Sequence, residues 1–231
     1  VLSAIAIVPS APVMVPELAS GAAAESAGLT CAARRAAQAL PAHWVAVAGG
    51  PLDGEVPADS VGTFAGYGAD VQVSLSPAAS GPPRQLPLCA LITGWLRGQV
   101  NPAAAAQVRV FDEELGSDAA VACGRALRAE LDASSAPVGV LVVADGAHTL
   151  TPAAPGGFDP DSVAVQKHWD DALAAGDVAV LAGLDGVLGR VAYQVLAGLA
   201  GPGARVSELY RGAPFGVGYF VGTWLPGRAS A

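Results

Sequence analysis

An acid and an imidazole stand close together in Asp145-Gly146-Ala147-His148, directly after the apolar run Val138 to Val143. A run of that length and composition suits a strand covered on both faces. Open α/β sheets gather ligands at the carboxyl ends of their strands, so chemistry is expected where this run stops. An imidazole at such a place can serve as a general acid or base, or can donate a hydrogen bond to a ligand. The carboxyl of Asp145 can fix the tautomer of His148 or cap the turn that follows. Ser10, just past the first apolar run, adds a hydroxyl. With His148 as base and Asp145 as orienter it would form a nucleophilic set, but no Gly-x-Ser-x-Gly elbow surrounds it. Thr149 continues the same loop, and Thr151 with several Pro and Gly leads on towards a helix.

The elements needed to hold these residues follow from the apolar pattern. Leu2 to Val8 reads as a first strand stopped by Pro9, and the proline-rich loop through Pro16 fits no regular structure. Glu17 to Leu40 reads as one alanine-rich helix closed by Pro41, and Trp44 to Ala48 as a short buried strand turning at Gly49-Gly50-Pro51. Leu52 to Ser60, with Asp53, Glu55 and Asp59, reads as a polar surface loop, and Asp70 to Leu75 as a half-exposed strand. Leu86 to Val100 has the spacing of a buried helix, and Gln107 to Phe111 is a strand ending in a solvated Asp112-Glu113-Glu114 turn. Helices are expected from Ser117 to Leu131, Asp161 to Ala175, Asp177 to Leu184 and Arg190 to Leu199. Two strands, Arg205 to Tyr210 and Gly216 to Trp224, then close the chain. Strands alternating with helices make this α/β, a single domain over 1–231 with a central, mostly buried, mixed sheet and helices on both faces.

Composition narrows the partners. A formal net charge of −8 with no basic stripe opposes binding to nucleic-acid backbones. Mean hydropathy is high at +0.46, but much of it is alanine, and no unbroken run is long enough to span a bilayer. The first residues carry no Lys or Arg, which favours a strand over a secretory leader. Cys31, Cys89 and Cys123 are widely spaced, form no CxxC, and read as buried thiols of a reduced, cytoplasmic protein.

Three ordered stretches carry a family likeness. The run Ala144-Asp145-Gly146-Ala147-His148-Thr149-Leu150-Thr151-Pro152, continued by Ala154-Pro155-Gly156-Gly157-Phe158-Asp159-Pro160, resembles the LigB-like superfamily of class III extradiol ring-cleavage dioxygenases, which includes the Memo-like proteins. Ala6-Ile7-Val8-Pro9 with Pro12-Val13-Met14-Val15-Pro16-Glu17 looks like that family's opening strand and loop, and Pro214-Phe215-Gly216-Val217-Gly218-Tyr219 like its closing motif. The likeness is weak from about Leu52 to Ser135.

The resemblance implies ring opening of catechols by Fe(II) and dioxygen, with iron held by two His and one Glu and a further His as acid/base. Carried over by position, the two ligand histidines fall on Ser10 and Gly49, and the glutamate on Gly212, or on Arg211 with a one-residue slip. Only the acid/base position persists, as His148 beside Asp145. A serine hydroxyl is a poor ligand for Fe(II) and glycine offers only backbone, so the iron site is expected to be degenerate and no cofactor to be bound. Tyr210 and Arg211 are expected beside the pocket, where Arg211 would return part of the missing positive charge and favour a small aromatic or anionic ligand. The chain therefore reads as a binding or interaction protein, alone or with a second copy or protein partner, using the old pocket around Ser10, Gly49, Asp145, His148, Thr149, Tyr210, Arg211 and Gly212. The alternatives are an active Fe(II) dioxygenase with rearranged ligands and a metal-independent enzyme using His148.

Overall fold

In a computed structural model, which describes residues 1–227, the apolar runs pair into one sheet. The parallel centre consists of β1 (Leu2–Val8), β2 (His43–Gly50), β6 (Ala105–Asp112) and β7 (Val138–Val143). Three antiparallel strands flank it: β3 (Gly54–Val56) against β6, β9 (Tyr219–Leu225) against β1, and β8 (Arg205–Gly212) against β9. The order across the sheet is β3-β6-β2-β7-β1-β9-β8, which makes it mixed, as the sequence pattern predicts.

Alternation along the strands divides the core into two layers. Ala4, Ala6 and Val8 of β1, with Leu141 and Val143 of β7, face α2 (Ala23–Ala37) and α3 (Leu88–Val100). The small alanines on both surfaces let α2 lie close to the sheet through Leu29, Ala33 and Ala36. Ile5, Ile7, Val140 and Val142 point the other way, to α4 (Ser117–Asp132), α5 (Asp161–Ala175), α6 (Val178–Gly183) and α7 (Arg190–Ala200). Helix α4 meets α7 so closely that a Cβ on Gly124 would stand 2.1 Å from the Val195 carbonyl oxygen, and one on Gly198 would stand 2.0 Å from that of Val121. Glycine is required at both points of the crossing. Among the described residues no helix is long and apolar enough to cross a membrane.

Three expectations need correction. The helix expected over 17–40 is broken into α1 (Pro16–Ala19), a turn at 20–22 and α2, because Ser20 takes a left-handed φ of 47° that no helix accepts. The polar loop expected over 52–60 contains β3, whose Glu55 lies opposite Arg109 on β6. The strand expected over 70–75 shrinks to β5 (Gln72–Ser74), which pairs with β4 (Val61–Thr63) in a separate two-stranded sheet. Strands of three residues are too short to show a period of two. Residues 228–231 of the expected domain lie outside the described residues.

A candidate ligand cleft at the carboxyl ends of three strands

The chain leaves β2 for β6 through α3 on one face and returns to β7 through α4 on the other. This reversal opens a crevice at the carboxyl ends of β2 and β7, the place where open α/β sheets bind ligands. A cleft of about 450 Å³ lies there. Its floor is Ala48, Val143 and Ala144 at the strand ends, and Pro87 to Cys89 and Leu188-Gly189, at the starts of α3 and α7, wall it in.

Backbone geometry fixes the central acid. Ala144 extends the ladder by donating its N–H to the Val8 carbonyl at 2.9 Å, and its own carbonyl accepts from the Tyr193 hydroxyl at 3.1 Å. The next residue, Asp145, receives the Ser10 N–H on Oδ1 at 2.8 Å, which ties the ends of β1 and β7 together. The Asp145 carbonyl accepts the Gly189 N–H at 2.7 Å, and a Cβ on Gly189 would lie 2.6 Å from Ala144 Cβ. Glycine there lets α7 begin against the strand end.

Asp145 sits deep in the floor, half-buried because one edge opens to the cleft. Burial pushes its pKa up to about 6, against the Ser10 N–H, which favours the charged form. Oδ2 has no hydrogen-bond partner in the protein and is not sealed away from solvent. Cys89 is buried at the cleft wall and its thiol is pushed up to about 11, so it stays neutral. Tyr193 and Tyr219 are held above the usual phenol range, by burial first and then by the Asp145 charge.

Of the expected site residues, Ser10, Gly49 and Asp145 meet in this cleft. The other five do not line it. His148 makes no hydrogen bond to Asp145 or Ser10; its ring lies against Gly156, where an added Cβ would come 2.6 Å from Cδ2. The proposed Ser10–His148–Asp145 set is therefore not assembled, since Asp145 turns its Oδ1 to the Ser10 backbone. Thr149 shares a 2.6 Å hydrogen bond with Ser162 at the start of α5. Arg211 donates to Glu208 at 2.7 Å, to Asp171 at 2.8 Å and to the Asp170 carbonyl at 3.3 Å, so its charge is spent on the outer face of β8. Tyr210 packs on the core beside α2, and a Cβ on Gly212 would meet the Tyr210 hydroxyl at 2.9 Å.

Two lining residues escaped sequence reasoning. Cys89 looked like one more core thiol, and Glu113 like a solvated turn. The usable signal for Glu113 was its place just past the end of β6, beside β2, with its N–H on the Gly50 carbonyl at 2.8 Å.

The two-histidine, one-glutamate iron centre implied by the resemblance does not fit these residues. Ser10 and Gly49 reach the cleft but supply a hydroxyl and bare backbone, while Gly212 is outside it. The other imidazoles are remote: His43 is at the amino end of β2, opposite the cleft, and His168 is exposed on α5. Asp53, read from sequence as a surface carboxylate, accepts the Asp112 N–H at 2.8 Å. Among the described residues no group of three His, Cys, Asp or Glu is placed to hold a metal.

Fold and cleft together define an α/β protein with a ligand-sized crevice at a topological switch point. No family model and no curated protein matches the sequence. The fold is similar to that of a solved structure, the uncharacterized protein JW3007 from Escherichia coli K12, with a TM-score of 0.58 and 10% identity over 96% of this chain and 99% of that one. At that identity the likeness concerns the fold alone.

Proposed function

We propose that this chain is a divergent protein of the LigB-like extradiol dioxygenase type that binds a small molecule in the cleft without the superfamily's iron centre. The observation that carries this reading is the convergence of Ser10, Gly49 and Asp145, with no imidazole among them, on one 450 Å³ cleft at the strand ends. Such a volume suits a compact organic ligand, and apolar walls with a few fixed polar groups are the usual make-up of a small-molecule site. Of the three thiols expected to be buried only Cys89 is, with Cys31 exposed and Cys123 half-buried; all three are unpaired, which supports a reducing, cytoplasmic setting.

The test is elemental analysis after anaerobic Fe(II) reconstitution and desalting, followed by oxygen uptake with catechols. We expect iron well below one per chain and no uptake. Near-stoichiometric iron that is lost in Asp145→Asn would overturn the reading in favour of a rearranged dioxygenase site.

A further inference from the structure

Resting on the reading of this cleft as a ligand site, we propose that its ligand is a small organic cation whose ammonium or amidinium nitrogen donates to Asp145 Oδ2. The charged side chains lining the cleft are Asp145 on its floor and Glu113 at its rim; no Lys, Arg or His lines it. Arg211, the one cation expected there from sequence, is bound to Glu208 and Asp171 elsewhere. The starts of α3 and α7 present the positive ends of two helix dipoles, each equivalent to roughly half a charge. Together they offset about one of the two carboxylates, and Arg190 at the start of α7, which donates to the Glu113 carbonyl at 2.8 Å, is paired with Asp185 at 3.4 Å, so the cleft stays negative.

Geometry supplies the second argument. Oδ1 of Asp145 is already held by the Ser10 N–H, which fixes the carboxyl plane and leaves Oδ2, open to solvent, without a partner. An acceptor set this deep in protein gains most from a charged donor, because charge-assisted hydrogen bonds are about twice as strong as neutral ones. Ser10 and the Cys89 thiol add further polar atoms, while Val110, Val143 and Leu188 give the rest of the ligand an apolar surface.

The titratable neighbours leave Asp145 as the switch. Cys89 on α3, Tyr193 on α7 and Tyr219 on β9 are all shifted upward and stay neutral between pH 5 and 8. Glu113 stands at the rim, and His148 is turned against Gly156.

Three probes of one shape separate the possibilities: benzylamine, benzyl alcohol and benzoate, titrated into the full chain with amide chemical shifts followed at Gly49, Cys89 and Gly189. We expect benzylamine to shift these amides and to bind at least tenfold more tightly than either companion. Affinity should fall about tenfold from pH 7.5 to 5.0 as Asp145, near 6, takes up a proton. The same fall in His148→Gln would assign the titration to Asp145. Asp145→Asn should lose the preference for benzylamine, and Glu113→Gln, exposed and safe for folding, should weaken it about two- to threefold. Equal or tighter binding of benzyl alcohol or benzoate at these amides would overturn the cation proposal while leaving the cleft as a ligand site. No shift there with any probe would overturn both.

Discussion

The junction of residues 145–150 with 216–218 and the cleft beside it both use glycine, yet a side chain added at Gly146 or Gly218 of the junction meets protein and one added at Gly49 of the cleft meets space. In the junction, Gly146 donates to Gly218 at 2.7 Å, Gly218 to Ala147 at 2.8 Å and Leu150 to Gly216 at 3.1 Å. The buried amide of Gln166 on α5 fits between the two strips. Its Oε1 accepts the Ala147 N–H at 2.7 Å and its Nε2 donates to Asp170 at 2.8 Å. A Cβ on either Gly146 or Gly218 would come within 2.1 Å of that Oε1. In the cleft, a Cβ on Gly49 finds only Val191 Cβ, at 3.9 Å. In two of the three stretches that carry the resemblance, packing alone accounts for Gly146 and Gly218. Gly49, one of the positions the resemblance would give to iron, is under no such constraint, whereas a Cβ on Gly212 would meet the Tyr210 hydroxyl at 2.9 Å.

The largest expected effect breaks the clamp. Gly218→Ala drives the Gln166 amide from its seat and costs about 3 kcal/mol, read from urea unfolding, through overpacking and a lost buried hydrogen bond. In a Gln166→Ala background the same substitution should cost less than about 1 kcal/mol, because the obstructing amide is gone. Equal costs in the two backgrounds would show that Gln166 does not hold the junction.

On the cleft side the effect reverses sign. The folded pKa of Asp145, about 6, lies above its ordinary 3.8, so the folded state keeps this proton longer than the unfolded one. Stability from this group is therefore greatest below about pH 4, declines as pH rises towards 6 and is level above that. Asp145→Asn should stabilise the protein at pH 7.5 by about 2 kcal/mol, reduced from the full conversion because one edge of the carboxyl sees water. Asp170, also pushed up to about 6 by burial, titrates in the same window, so the variant keeps part of the pH dependence. No gain in stability at pH 7.5 would mean that water reaches Asp145 more freely than its setting implies. Gly49→Ala should cost less than about 1 kcal/mol, the contrast with Gly218→Ala being the point of the measurement.

Much of this was legible in sequence because it depends on local pattern. The apolar runs at β1, β2 and β7 and the periodic helices from α4 to α7 gave the α/β class; the strand ends gave Asp145 and Ser10, and the family resemblance added Gly49. In the middle, where α3, β6 and α4 were legible, the small sheet of β4 and β5 was not, since what holds it is tertiary. Arg97, buried on α3, donates to the carbonyls of Ser74 at 2.8 Å and Pro102 at 2.6 Å and so fixes the small sheet, which no periodicity announces. Closing-motif residues 216–218 were expected to extend a strand. The ladder is diverted because Gly216 takes a positive φ of 74° and pairs with Leu150 instead. His148 was drawn into the pocket by sequence neighbourhood and Arg211 by the family resemblance. Side-chain direction, which sequence spacing does not give, sends one towards Gly156 and the other to α5.

Arg211 provides the smallest and most specific test of the difference between cleft and periphery. Its guanidinium pairs with Glu208 three residues back on the same strand and with Asp171 on α5, and it is about a third exposed at 34%. Ion pairs in that setting contribute little, so Arg211→Ala should cost under about 1 kcal/mol, and less still at high salt. If Arg211 belonged to the ligand site, its loss would change probe shifts at Gly49 and Gly189. Because it is tied to Glu208 and Asp171, those shifts should be unchanged while amides around Asp170 and Asp171 move. The same variant removes a positive charge near Asp170, whose carboxyl Arg211 helps to keep ionised. The pKa of Asp170 should therefore rise further and that of Asp145 should not, which would set the two acids apart although both start near 6.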